Sequence, residues 1–169
     1  VQGIMSPTDP ALTRKIRQFC TAGYQHYDAG DYKAALRLFY QAWLLLPKPQ
    51  TDWIEAGWVL TAIGDSYFRS AQYQQGREAL QSALCCPQME QAPFIHLRLG
   101  QCLWELGLCD SARTALLRAY EIAGMDIFSA EDRKYYFAIA GLLSRQALNE
   151  PPAGVTSQGH QKLFQAQGN

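Results

Sequence analysis

The sequence predicts an all-α fold of about seven helices in antiparallel pairs, on three observations. Apolar residues recur at three- and four-residue steps through most of 14–148, and no segment alternates at period two over a strand's length. Glycine and proline interrupt that pattern at Gly30, Pro47, Pro49, Pro87, Gly107 and Gly124, where helices should stop. Small residues return at fixed offsets, which marks an internal repeat. Composition allows a core of that kind: of 169 residues, 48% are hydrophobic and 18% charged.

In chain order the periodic segments are 14–29, 32–46, 52–70, 74–86, 93–106, 110–123 and 130–148. Gly30-Asp31 closes the first and opens the second, with Asp28 and Asp31 as turn and cap residues. Pro47-Lys48-Pro49 ends the second. Asp52 with Glu55 has capping-box spacing at the start of the third, and Ser129 with Asp132 has it at the start of the seventh. Pro93 suits the first turn of the fifth, where its missing N–H costs nothing. Residues 1–12 read as a flexible N-terminal segment and 149–169 as a disordered tail rich in Pro, Gly, Gln and Ser, in which 160–167 is too short to stand alone as a helix.

The repeat appears when Gly23, Gly64 and Gly100 are placed in register. Twelve residues later stand Ala35, Gly76 and Ala112, and seven further on Ala42, Ala83 and Ala119. Phe39, Leu80 and Leu116 hold the matching large position in each second helix. Two helices approach closely only where neither carries a bulky side chain, and large residues then fill the holes between them.

Written out, the units are Phe19-x2-Ala22-Gly23-x2-His26 with Ala35-x3-Phe39, Ala42 and Pro47; Leu60-x2-Ile63-Gly64-x2-Tyr67 with Gly76-x3-Leu80, Ala83 and Pro87; and His96-x2-Leu99-Gly100-x2-Leu103 with Ala112-x3-Leu116 and Ala119. A lone helix follows, Phe137-x2-Ala140-Gly141-x2-Ser144. This pattern resembles the tetratricopeptide repeat (TPR), W-x2-L-G-x2-Y followed by A-x3-F, a small residue and Pro. The resemblance implies a right-handed superhelix of helix pairs, with repeats at about 16–49, 52–90 and 93–124 and a capping helix at 130–148, within a domain spanning 13–148. The motif glycines stand 41, 36 and 41 residues apart, against about 34 in the repeat pattern. The extra residues fit as helical N-terminal extensions, at 51–56 and around 126–134. His26 and His96 replace motif aromatics and read as packing residues.

Fifteen Lys and Arg balance fifteen Asp and Glu, which argues against nucleic acid or an anionic membrane as partner. The longest apolar run, 42–46, is far too short to span a bilayer, and residues 1–10 lack a signal peptide's apolar core, so a cytoplasmic location is expected. Cys20, Cys85, Cys86, Cys102 and Cys109 form no CxxC pair and read as reduced packing residues; neither a metal nor another cofactor is expected. No GxSxG, HExxH, Walker A or GxGxxG motif is present, so an enzyme is not expected. Glu131-Asp132 reads as a helix-start charge pair and Arg14, Lys15 and Arg17 as a solvated face.

The resemblance implies a concave wall built by the first helix of each pair. Its slots hold Arg17, Tyr24 and Tyr27 in the first unit, Trp58, Asp65, Phe68 and Arg69 in the second, and Phe94, Gln101 and Trp104 in the third, with Arg98 beside them. Tyr135 and Arg145 come from the lone helix. The wall is rich in Trp, Tyr and Arg, the types enriched at binding hot spots. The TPR clamp for the C-terminal carboxylates of chaperones such as Hsp70 and Hsp90 uses Lys, Asn, Asn, Lys and Arg; the matching positions are Cys20, Tyr24, Ala62, Phe94 and Arg98, of which only Arg98 fits, and that co-chaperone role is rejected. The expectation is an adaptor or chaperone holding a protein or peptide segment in an aromatic groove, similar in architecture to the bacterial TPR chaperones of type III secretion translocators. The alternative is a self-associating structural or regulatory subunit of a larger bacterial complex, secretion-linked or toxin-neutralising, with a homodimer as its signature.

Overall fold

The computed structural model describes residues 9–149, and these hold seven α-helices and no strand. They are α1 (Pro10–Asp28), α2 (Tyr32–Leu45), α3 (Ile54–Arg69), α4 (Tyr73–Leu84), α5 (Pro93–Glu105), α6 (Cys109–Ala123) and α7 (Arg133–Asn149). The closest packing is within the pairs α1–α2, α3–α4 and α5–α6, then between α2 and α3 and between α4 and α5. A first compact unit ends at Ile139 within α7, and a second begins at Ala140. Residues 1–8 of the N-terminal segment, and the tail from 150 onward with its 160–167 stretch, lie outside the described residues.

The rows of small and large residues are the core of the first unit. Ala35, Ala42, Ala83, Ala112 and Ala119 are fully buried, as are Phe39, Leu80 and Leu116. A Cβ at Gly23 would fall 2.5 Å from the Phe39 ring, one at Gly64 2.5 Å from Leu80 Cγ, and one at Gly100 2.6 Å from Leu116 Cγ. Each motif glycine thus receives the large residue of its own second helix, which is the physical content of the repeat.

The three turns inside the pairs are also copies of one another. Each first helix ends on a left-handed residue, Gly30 (φ +78°), Ala71 (φ +58°) or Gly107 (φ +77°). In each, the next residue's N–H reaches back five positions, Asp31 to His26 O, Gln72 to Tyr67 O and Leu108 to Leu103 O, at 2.8–2.9 Å. Ala71 alone carries a Cβ there, so Ala71→Gly is expected to raise stability by about 1 kcal/mol, read as a higher urea midpoint at unchanged slope. An unchanged or lower midpoint would show that the turn carries no strain.

The connections between repeats depart from expectation. Of residues 51–56 only 54–56 extend α3 as helix: Gln50–Asp52 is a 3-10 turn, Trp53 is extended (φ −104°, ψ 140°), and α3 starts at Ile54 with no side-chain cap. The cause is local. Gln50 Nε2 donates to Trp43 O (2.9 Å) and Trp53 Nε1 to Pro47 O (2.8 Å), which ties the linker to the carbonyl end of α2. The stretch at 126–134 is likewise mostly not helix. Met125–Phe128 is a 3-10 turn whose Phe128 is buried, and the cap of α7 is Asp132, whose Oδ1 accepts from Lys134 N at 2.9 Å, rather than Ser129. Between α4 and α5 a third such turn, Met89–Gln91, drives Met89 against Gly57. α1 begins four residues before the periodic stretch because Asp9 caps it and Pro10 takes its first position.

Candidate functional site

Helical periodicity places several of the candidate wall residues on one side of their helices. Trp58 and Asp65 lie seven residues apart on one side of α3, with Phe68 a turn further on; Phe94, Arg98, Gln101 and Glu105 do the same on α5. At the centre is a buried polar network. Arg98 Nε donates to Asp65 Oδ1 at 2.6 Å, and its Nη1 donates to Gln101 Oε1 at 2.7 Å and to Glu131 Oε2 at 2.8 Å. Gln101 Nε2 donates to that same Glu131 oxygen at 2.7 Å. The Phe68 and Phe94 rings each have their centroid 4.8 Å from the Arg98 guanidinium carbon. Burial works against the charge on Arg98, but the Asp65 and Glu131 carboxylates outweigh it and hold the guanidinium pKa above its ordinary value.

A second cluster adjoins the first. Glu105 Oε1 accepts from Tyr135 OH at 2.7 Å and pairs with Lys134 Nζ. Burial alone would raise the Glu105 pKa; the hydrogen bonds from Lys134 and Tyr135 reverse that and bring it below the usual carboxylate value. The Tyr135 phenol is pushed well up by burial and then by its bond to Glu105. Its ring meets Phe68 edge-on at 6.4 Å. At the α1 end, Tyr27 packs on Tyr24 (6.2 Å) and Tyr32 (5.3 Å), and its phenol is pushed up by burial and by Asp65. Burial, then Cys20 and Asp65, raise Tyr24 to about 12. Arg69 Nε donates to Tyr32 OH at 3.3 Å.

The predicted wall therefore divides. Tyr24 (44% exposed), Trp58 (45%) and Phe94 (37%) reach solvent, one from each of α1, α3 and α5. Arg69 is exposed beside Tyr32, and Arg17 is exposed in a hollow along α1 with Arg14, Gln18 and Gln25. Asp65, Arg98, Gln101 and Tyr135 are buried, and Tyr27 and Phe68 are half-buried among them. Trp104 is half-buried with the Arg113 guanidinium of α6 5.8 Å from its ring centre. Arg145 is exposed on α7, within the compact unit that begins at Ala140.

Glu131 and Lys134 were missed by sequence reading. Glu131 is no mere helix-start charge; it reaches back some thirty residues to Arg98 and Gln101. One signal was legible: no carboxylate stands within a turn of Arg98 on its own helix, so a buried cation there needed acids from other units. His26 is exposed, not packed, with Nδ1 4.0 Å from Asp31 Oδ2. His96 is half-buried and held by Glu90 O at 2.8 Å.

Burial pushes the thiols of Cys20 and Cys86 up to about 11 and that of Cys102 up to about 12, which disfavours the thiolate. Among the described residues, no group of three or more His, Cys, Asp or Glu is placed to hold a metal ion, and no helix is long and apolar enough to cross a membrane.

The fold is that of a TPR domain, a solenoid of helix pairs. No family model matches the sequence, and neither does any curated protein. Solved TPR structures do match. The first TPR of Spaghetti (RPAP3), bound to the HSP90 peptide SRMEEVD, aligns with a TM-score of 0.60 at 13% identity, over 79% of this chain and 97% of its own. The Yersinia enterocolitica type III secretion chaperone SycD, in complex with a peptide of the translocator YopD, aligns at 0.60 and 17% identity, over 78% of this chain and 94% of its own. The Sgt2 TPR domain from Aspergillus fumigatus aligns at 0.60 and 16% identity, over 95% and 96%.

Proposed function

We propose that this chain is a non-catalytic, cytoplasmic peptide-binding adaptor that holds an apolar segment of a protein partner along the exposed aromatics of α1, α3 and α5. The observation that carries this reading is the pairing of exposed Tyr24, Trp58 and Phe94 with a polar floor whose one cation, Arg98, is already engaged by two carboxylates. Such a floor offers a ligand apolar and edge contacts, but little that would hold a free carboxylate. Arg98, at the position where TPR clamps grip a terminal carboxylate, is engaged by Asp65 and Glu131 of its own chain. RPAP3 and SycD, whose structures hold bound peptides on the same fold, lend general support.

The test is selection of 12-residue peptides displayed on phage, followed by titration of the winners. Trp58→Ala and Phe94→Ala should each weaken binding about thirtyfold, the effect of a loss of about 2 kcal/mol, at unchanged helix content. Amidated and free-acid versions of a winning peptide should bind alike. Peptides indifferent to both substitutions, or dependent on a free C-terminus, would refute the reading. Sedimentation separates it from the self-association alternative, which requires a stable dimer.

A further inference from the structure

Away from the inner face, α2 carries a second apolar stripe. Leu36, Tyr40 and Leu44 follow one another at four-residue steps, displaced by one position from the buried Ala35 and Phe39. Leu44 is 75% exposed and Tyr40 41%. The stripe borders a hollow of about 690 Å3 between α2, the C-terminal end of α3 and the turn into α4. Its wall is fixed where the Tyr40 and Tyr67 hydroxyls hydrogen-bond at 2.9 Å. The same two tyrosines line a smaller hollow of about 250 Å3 floored by Trp43, Leu60 and Ile63, so the groove continues toward α4.

Charge decides what fits. Lys33 and Arg37 stand one turn apart on the groove's edge, both exposed, and neither has an ion pair or hydrogen bond among the described residues. No carboxylate lines the larger hollow. At the far end of the smaller one, Glu78 already accepts from Gln74 Nε2 at 2.9 Å. In a chain with zero net charge this is a local excess, two unpartnered cations beside exposed leucine and tyrosine. From Lys33 to Leu44 the edge runs roughly 16 Å, about three helical turns. We propose that this groove docks an amphipathic helix of a partner protein, with an apolar ridge against Tyr40 and Leu44 and acidic residues opposite Lys33 and Arg37.

The experiment uses the full chain and three fluorescein-labelled synthetic 16-residue helical peptides. All share one leucine ridge; the flanking positions carry glutamate, glutamine or lysine. The glutamate peptide should bind at least tenfold tighter than the glutamine peptide, and the lysine peptide weakest of all. Lys33→Glu with Arg37→Glu should reverse that order, and Leu44→Asp should weaken the glutamate peptide at least tenfold. These three positions are exposed, so circular dichroism should be unchanged in every variant. Trp58→Ala should leave all three affinities as they are, which separates this groove from the inner face. An order that survives the charge reversal, or binding indifferent to Leu44→Asp, overturns the proposal. So does a dimer of the free chain that Leu44→Asp disperses, which would make a second copy the occupant. Tighter binding to phosphatidylserine vesicles than to any peptide, lost in the charge-reversed variant, also overturns it in favour of a membrane surface.

Discussion

Arg98→Met is expected to lower the unfolding free energy by about 3–5 kcal/mol, the usual cost of removing one partner from a buried ionic network. That is a large part of the roughly 5–15 kcal/mol that holds a domain together. The magnitude follows from what stays behind. Asp65 and Glu131 would face each other's neighbourhood without a cation, and Gln101, wholly buried, would lose the donor its amide oxygen accepts. Methionine nearly fills the space but satisfies none of these groups. Arg98→Lys should recover only part of the loss, because an ammonium cannot reproduce the fork that reaches Asp65 through Nε while Nη1 spans Gln101 and Glu131. Glu131→Gln, which leaves Arg98 with Asp65, should cost less, about 1–2 kcal/mol. Replacing Arg98, Asp65 and Glu131 together by apolar residues of similar size should recover most of the Arg98→Met loss, since the desolvation of three charges disappears with them. Urea unfolding of the four variants decides the matter. An Arg98→Met cost below about 1 kcal/mol would mean that water enters the site and that the network is no structural centre.

The same network explains why the fold was more legible than the site. Helix identity, pairing and the glycine contacts rest on spacing within one helix or one pair, and sequence periodicity records such spacing directly. Gly23, Gly64 and Gly100 meet residues sixteen positions on, always in the same way. The repeat linkers do not obey that periodicity. Their conformation is set by single side-chain-to-carbonyl bonds such as Trp53 to Pro47, which no repeat rule encodes. The candidate wall suffered in turn. Seven residues that read as extra helix before α7 fold instead as a turn that lowers Glu131 onto Arg98. Once that carboxylate arrives, Arg98 and Gln101 belong to the interior, and of the wall's aromatic residues only Tyr24, Trp58 and Phe94 keep the exposure that their slots promised. Trp104 shows another limit. It lies on α5 with Phe94 and Gln101, but Arg113 comes from α6 to lie against its ring, a contact across the pair that spacing along α5 cannot foretell.

Gly100→Leu is expected to cost about 3 kcal/mol and to lower the melting temperature by roughly 10 °C. The first atom added, a Cβ, would sit 2.6 Å from Leu116 Cγ and 3.0 Å from Leu116 N, and neither can swing aside as the tip of a long side chain could. Leu116 is wholly buried, so the strain must pass into the α5–α6 pairing itself. Gly141 holds the corresponding place in α7 but is exposed, and a Cβ there meets no atom within 4 Å. Gly141→Ala should therefore raise stability by about 0.5–1 kcal/mol through helix propensity alone. Opposite signs at two positions with the same place in the motif would show that the close contact, rather than the glycine as such, is what the repeat requires. The double variant Gly100→Ala with Leu116→Ala extends the test. It removes the clash by vacating the facing side, so its cost should fall short of the sum of the two single changes by 0.5 kcal/mol or more, on the order of couplings between residues in contact. Strict additivity would place Gly100 and Leu116 apart, and Gly100→Leu melting with the parent would put the repeat register itself in error.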